Sequence, residues 1–511
     1  MAQPLPADSV VAVFGAGAMG SGIAQIAAAA GHPVLLFDAR LGAADEARGK
    51  LLDTFATLAQ KGRLGADAAA AAGERVRAIH AVGDAVSAKL VVEAIVEDEA
   101  AKRELFGQLE VVVGADTILA TNTSSLSITT LAAGLRHPGR VAGMHFFNPA
   151  PLMPLVEIVS GLATAPQVAA TLHATALAWG KSPVHATSTP GFIVNRCARP
   201  FYAEAWRLLA ERAAEPATID AVMREAGGFR MGPFELMDLI GHDVNLAVTQ
   251  GVWEGYFHDP RFTPSVAQRE MVAAGFLGRK SGRGLYDHRP DAPKPAPATL
   301  PPAPPPAHVV AYGDLGPAEP LAGRFVARGI AVERRPAQPP FPGGVLAADG
   351  AWLALSDGRP ATLRAAATGA LDLVVFDLAL DYGTATRVAV ARADQCSDAA
   401  FGAAVGLLQA ADVAVSPLDD VAGLPVVRTV AMLVNEAADA AVQGIASPSD
   451  IDLAMRKGVG YPMGPLAWGD AVGCSRVREV LLHLHAHHGE PRYRLSPLIA
   501  RASATGRRLA G

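Results

Sequence analysis

Cysteine is scarce in this chain. Three occur in 511 residues, Cys197, Cys396 and Cys474, and no two form a CxxC pair. That excludes a disulfide framework or a cysteine-based zinc site and fits a reducing cytoplasm. Positive charge is not in excess either: the formal net charge is -5, with no basic tail, which argues against nucleic acid as a partner. No apolar run reaches the roughly 18 residues needed to cross a bilayer. The opening Met1-Ala2-Gln3-Pro4 lacks the charged and apolar regions of a signal peptide. The expectation is a soluble, cytoplasmic protein with no metal, membrane or nucleic-acid partner. Apolar residues are plentiful, at 50% of the chain, and over 511 residues that is too much for one core. Three or four domains are expected.

Most of the chemistry lies between Thr121 and Glu157. Val141 to Phe147 reads as a buried strand, closed by Pro149, with His145 near its carboxyl end. Glu157 sits inside the next apolar run, where an unpaired charge is costly, so it needs a partner. An imidazole held by a carboxylate is a general base with a fixed tautomer.

The first forty residues supply a reason for a base. The run Val10-Val11-Ala12-Val13-Phe14 predicts a strand, Gly15-Ala16-Gly17-Ala18-Met19-Gly20 follows at once, Ser21 to Ala30 is helical, and Val34 to Asp38 is a second strand. Gly15 permits the tight turn, Gly17 lets a pyrophosphate approach the backbone, and Gly20 allows close helix–strand packing. Asp38 stands where a carboxylate takes the ribose hydroxyls and repels a 2′-phosphate, so NAD is favoured over NADP, with Arg40 two residues away. Ala43 to Lys61 reads as a long helix carrying Lys50, Thr54 and Lys61. Glu97 ends a further apolar strand, and with Lys102 it is a candidate for the nicotinamide side, because strand carboxyl ends line the ligand crevice. Asn122-Thr123-Ser124-Ser125 ends another.

From Pro190 the pattern is helical, with a run from Gly191 to Arg212, a second helix opened by Thr218 as N-cap, and a third beginning near Met231. Nine prolines between Pro290 and Pro306 read as a semi-rigid linker. Beyond it the chain repeats itself. Arg196, Glu204, Asp220, Met231-Gly232-Pro233, Asp238 and Gly241 recur at constant offset as Arg428, Glu436, Asp452, Met463-Gly464-Pro465, Asp470 and Gly473. Val309 to Glu333 is a fainter copy of the first nucleotide-binding segment, with Leu315 for Gly17 and Ala318 for Gly20. Val427 stands for Asn195, and no His-Phe-Phe-Asn-Pro-like stretch follows Ala385. The second half is therefore expected to bind no NAD. The predicted fold is an α/β Rossmann-type nucleotide domain plus an all-α domain, with a degenerate second copy of both. The boundaries are 1–189, 190–288, a linker at 289–307, then 308–421 and 422–511.

Five motifs in order, Gly15 to Gly20, Asn122 to Ser125, His145-Phe146-Phe147-Asn148-Pro149, Leu155-Val156-Glu157 and Pro190 to Arg196, resemble those of the 3-hydroxyacyl-CoA dehydrogenases over about residues 8–287. The duplicated layout is similar to the family's long bacterial branch, which includes 3-hydroxybutyryl-CoA and 3-hydroxyadipyl-CoA dehydrogenases of phenylacetate breakdown. The resemblance implies NAD-dependent oxidation of (S)-3-hydroxyacyl-CoA to 3-oxoacyl-CoA. It implies His145 as base, Glu157 as its holder, and Ser124 and Asn195 near the reacting oxygen. Gly15, Gly17, Met19, Gly20, Asp38, Glu97, Lys102, Ser124, Asn148 and Lys280 would lie against the cofactor, and Thr54 and Lys61 would meet the CoA moiety. It also implies a homodimer, or an intrachain pseudo-dimer in which the second helical copy stands for the partner. Two alternatives share the likeness: a dehydrogenase of a free hydroxy or sugar acid, and a non-catalytic, crystallin-like structural protein.

Overall fold

Strands form where short β-branched and apolar runs lie between glycines, prolines and helical stretches. The computed structural model describes residues 3–337, 339, 341 and 343–511. Its first sheet has eight strands: β1 (Val10–Phe14), β2 (Val34–Phe37), β3 (Val76–Ala78), β4 (Ala88–Glu93), β5 (Ile118–Thr121), β6 (Val141–Phe146), β7 (Leu155–Ser160) and β8 (Ser182–Thr187). They lie in the order β3-β2-β1-β4-β5-β6-β7-β8, all parallel except that β6 and β7 run antiparallel. β1 pairs on one side with β2 and on the other with β4, so the chain reverses direction across the sheet there. That crevice is where a doubly wound fold takes its ligand. The long helix predicted to follow β2 spans Ala43–Gln60, with Lys61 as its C-cap.

Among the described residues the second sheet has seven strands, β9 (His308–Tyr312), β10 (Ala331–Arg335), β11 (Val345–Ala348), β12 (Ala351–Leu355), β13 (Leu373–Phe376), β14 (Arg387–Arg392) and β15 (Ala414–Pro417), in the order β10-β9-β11-β12-β13-β14-β15. From β12 to β15 the pairing repeats that of β5 to β8: parallel, antiparallel, parallel. It departs at β11, which runs antiparallel to both β9 and β12 where β4 is parallel to its neighbours.

The helical run predicted from Gly191 to Arg212 is interrupted. Phe192 has φ 46°, and the helices are Val194–Cys197 and Arg199–Ala210. Pro200 has no N–H to donate back to Arg196, so one helical hydrogen bond is lost there. In the second copy the same position is Met432, and Pro425–Val442 is a single helix. Thr218 is not an N-cap either. Its helix starts at Pro216 behind Glu215, and the Thr218 hydroxyl is buried, accepting the Ala298 N–H at 2.8 Å.

The chain divides into two compact units, and their borders cut across the repeat. The first holds Met1–Arg196 and Gln443–Val459; the second holds Cys197–Val442 and Gly460–Gly511. In the first, helix Pro448–Gly458, taken from the second helical copy, packs on β7 and β8, and the Thr187 N–H bonds the Ile445 carbonyl at 2.8 Å. In the second, helix Pro216–Glu225, from the first copy, packs on β14, where Glu225 pairs with Arg387 at 3.0 Å. Each sheet is thus faced by a helix from the other half's repeat. The proline-rich stretch does not hang free: Leu300 N–H bonds the Val415 carbonyl and Ala303 N–H bonds the Gln409 side chain, each at 2.8 Å.

Candidate active site

His145 is on β6 and Glu157 on β7, and the antiparallel register sets them directly opposite each other. Side chains so paired on one face have Cβ atoms about 5 Å apart, close enough for an imidazole to meet a carboxylate. Nδ1 of His145 lies 2.7 Å from Oε2 of Glu157, and the two side chains are 7% and 1% exposed. The other carboxylate oxygen, Oε1, accepts the Ile193 N–H at 3.1 Å and the Val194 N–H at 3.0 Å. These amides open the short helix Val194–Cys197, so the carboxylate is held by backbone donors rather than by a lysine or arginine. The ring of His145 is flanked by Phe147 and Phe192, with centroids 4.6 and 5.9 Å away. With Nδ1 committed to Glu157, Nε2 is the nitrogen left to accept a proton. Asn195 is half-buried and follows directly on the two amides.

The nicotinamide-side candidates form a second network at the ends of β4 and β5. Glu97 Oε1 accepts the Thr123 hydroxyl at 2.6 Å, the Ser125 hydroxyl at 2.8 Å and the Ser124 and Ser125 amides at 3.0 and 3.2 Å. Burial pushes its carboxyl up, but the Thr123 and Ser125 hydroxyls, the Lys102 ammonium and the Ser124 amide outweigh this and hold it below the usual carboxylate range. Glu97 therefore organises the turn that carries Ser124. The Lys102 side chain is wholly buried within this network, 2.6 Å from Glu93 and 3.3 Å from Glu97. Glu93 was not singled out from sequence. Its carboxylate takes Lys102, the Thr121 hydroxyl and the Ile95 amide, each at 2.6 Å. A glutamate ending an apolar strand, nine residues before a lysine, was the available signal.

The glycine turn fits a dinucleotide. Gly15 has φ +105°, and a Cβ there would meet the Ala94 carbonyl oxygen at 2.3 Å; a Cβ on Gly20 would meet the Gly15 carbonyl oxygen at 1.7 Å. Gly17 is the contrast, because a Cβ there meets nothing within 4 Å. The space in front of Gly17, at the amino end of helix Ala18–Ala29, is open for a pyrophosphate. Met19 is half-buried against the core. Asp38 accepts the Ala16 and Arg40 amides at 2.8 and 2.9 Å, while the Arg40 guanidinium turns away to Glu46 at 2.9 Å. Asp38 is thus held by two backbone amides, and the hydrogen bonds of the Arg40 guanidinium go to Glu46 instead. The adjoining cleft, about 460 Å³, is lined by Gly17, Arg40, Lys50 and Thr54, among others. Thr54 donates its hydroxyl to the Lys50 carbonyl at 2.8 Å. Lys61 and Asn148 are exposed. Lys280 belongs to the second unit, where its ammonium pairs with Asp243 at 2.5 Å.

Residues 10–189 match the model of the 3-hydroxyacyl-CoA dehydrogenase NAD binding domain, and residues 191–288 and 423–508 each match that family's C-terminal domain. Residues 353–421 match a 3-hydroxybutyryl-CoA dehydrogenase reduced Rossmann-fold domain. The chain is 42% identical over 489 residues to the 3-hydroxyadipyl-CoA dehydrogenase of Escherichia coli K12, covering 96% of each. It is similar to a solved structure of 3-hydroxybutyryl-CoA dehydrogenase from E. coli K12, with TM-score 0.88 and 41% identity over 97% of this chain and 98% of that one. A probable 3-hydroxybutyryl-CoA dehydrogenase of Deinococcus radiodurans is 41% identical over 276 residues, which is 99% of its length but 54% of this chain. Among the described residues no helix is long and apolar enough to cross a membrane.

Proposed function

Starting from the fact that this chain belongs to the NAD-dependent 3-hydroxyacyl-CoA dehydrogenase family, we propose that it oxidises (S)-3-hydroxyacyl-CoA to 3-oxoacyl-CoA with His145 as general base and Glu157 as its holder. The observation that carries this reading is the hydrogen-bonded line from His145 Nδ1 through both oxygens of Glu157 to the Ile193 and Val194 amides. NAD, when bound, would supply the acceptor for the hydride leaving the substrate carbon. His145 takes the hydroxyl proton at Nε2. Glu157 stabilises the resulting imidazolium, and its two amide partners keep it from rotating away. Ser124 and Asn195 donate to the substrate oxygen, Asn148 and Glu97 border the cofactor, and Thr54 and Lys61 meet the CoA moiety. Lys280 is proposed to reach the cofactor by likeness to the family alone.

The two helical repeats pack on each other inside the second unit, through helices Arg199–Ala210 and Pro425–Val442, where Arg428 is buried against Glu204 at 2.8 Å. This supports a pseudo-dimer within one chain, with repeat boundaries at 190 and 422. Gel filtration eluting as a single 52.6 kDa chain is the expected outcome.

The test of function is reduction of acetoacetyl-CoA by NADH. Wild-type protein turns over, whereas His145→Ala loses about 10²–10⁴ in kcat and still binds NADH; Glu157→Gln loses less. Wild-type turnover in His145→Ala would overturn the proposal. Preference for a free 3-hydroxy acid over the CoA thioester would overturn the substrate assignment alone.

A further inference from the structure

Helix Pro448–Gly458 belongs by sequence to the second, degenerate half, yet it packs on the strand that carries Glu157. Its last residue, Gly458, is buried. A Cβ there would meet Leu155 Cδ2 at 2.6 Å and Val194 Cγ2 at 3.1 Å. Leu155 is two residues before Glu157 on β7, and Val194 supplies one of the two amides that hold Glu157. Gly458 is not one of the residues with positive φ, so its backbone conformation gives no reason for glycine. Glycine is the poorest helix former after proline, and alanine would make the better helix. The reason for glycine is therefore the close approach itself. The equivalent residue of the first repeat is Ala226, whose helix faces the second sheet, where Arg387 stands in place of Leu155.

We propose that Gly458 is a positioning residue for the reaction of the first unit. By letting this helix close on Leu155 and Val194, it fixes the turn 191–195 and keeps the Ile193 and Val194 amides on Glu157. The degenerate half thus acts on catalysis through a buttress rather than through a second active site. The inference rests on the His145–Glu157 reading, and its test separates the two.

In the full-length chain, Gly458→Ala and Gly458→Val are assayed with acetoacetyl-CoA and NADH beside His145→Ala. Displacing catalytic groups by an ångström or less costs about ten- to a hundredfold, so that loss of kcat is expected in Gly458→Val and a smaller one in Gly458→Ala. KM for acetoacetyl-CoA and the Kd for NADH should stay within twofold of wild type. Replacing the clashing side chain should restore turnover: Gly458→Ala combined with Leu155→Val should return to within about twofold of Leu155→Val alone. That rescue keeps the proposal testable even if Gly458→Val fails to fold. Wild-type kcat in both Gly458 variants, with His145→Ala inactive, overturns this proposal and leaves the dyad standing. So does a loss that Leu155→Val fails to repair, or one seen equally in NADH binding. Full turnover in His145→Ala overturns the dyad, and this proposal with it.

Discussion

The two sheets place different residues at one pair of facing positions and so show what that double exchange does. In the first unit β6 and β7 set His145 opposite Glu157, and the carboxylate takes the two amides of the turn that follows β8. In the second unit β13 and β14 pair in the same way, and Asp377 stands where His145 stands, its N–H bonded to the Ala389 carbonyl. Ala389 occupies the place of Glu157. The Asp377 carboxylate reaches the helix by itself, accepting the Val426 amide at 2.7 Å and the Val427 amide at 2.9 Å. Both units thus anchor a helix amino end with a buried carboxylate. Only the first inserts an imidazole in front of it. The carboxylate anchor survives in the copy; the imidazole, the proposed base, does not. The glycine turn diverged in the same sense. Open space lies in front of Gly17, whereas its counterpart in the fainter copy, Leu315, is a buried side chain.

The strongest way to break this comparison is to convert one unit into the other. His145→Asp with Glu157→Ala recreates the second arrangement in the first unit. The protein should fold and bind NADH while kcat falls by about 10²–10⁴, measured by acetoacetyl-CoA reduction. Retained turnover would mean that the imidazole is not what separates the units. Next, calorimetric titration with NAD should give one site per chain; two sites would mean that Leu315 does not close the second turn.

A smaller effect concerns stability. Burial pushes the Asp377 carboxyl up to about 7, against the pull of the Val426, Val427 and Leu378 amides. The fold therefore favours the protonated form. Its contribution is fully present below about pH 4 and is lost as pH rises to about 7. Urea melts should show wild-type protein losing roughly 4 kcal/mol relative to Asp377→Asn as pH rises from about 4 through about 7, and levelling off above that. A difference that is flat in pH would remove this carboxyl from the account. The smallest effect is expected at the exposed Lys61. Lys61→Ala should raise KM for the acyl-CoA about two- to fivefold and leave kcat alone, since an exposed ion pair contributes about 1 kcal/mol or less.

Much of this was legible in the sequence, because it depends on local pattern. The glycine turn, the Asp38 that closes β2 and the buried glutamate in β7 each follow from residue type and spacing. The repeat follows from register. What escaped depends on contacts distant in sequence. No His-Phe-Phe-Asn-Pro-like stretch marks Asp377, because the counterpart strand lies before Ala385, at Leu373–Phe376, and has kept its pairing but not its letters. The reversal of β11 leaves no trace in a short apolar run. Spacing places Lys102 with Glu97 on the nicotinamide side, but helix position alone does not reveal that Glu93 and Glu97 enclose it. The exchange of helices between repeats was invisible for a similar reason: two helices of similar sequence can each pack on either sheet.

That exchange has a bearing on how the molecule comes apart. A protease cutting the proline-rich segment would produce two fragments, but neither compact unit would belong to one fragment alone. The amino-terminal piece would still supply residues of the second unit, and the carboxy-terminal piece would still supply 443–459 to the first. A nicked chain should therefore migrate as one particle until it is denatured, and expressing either half by itself leaves a sheet face without its cover.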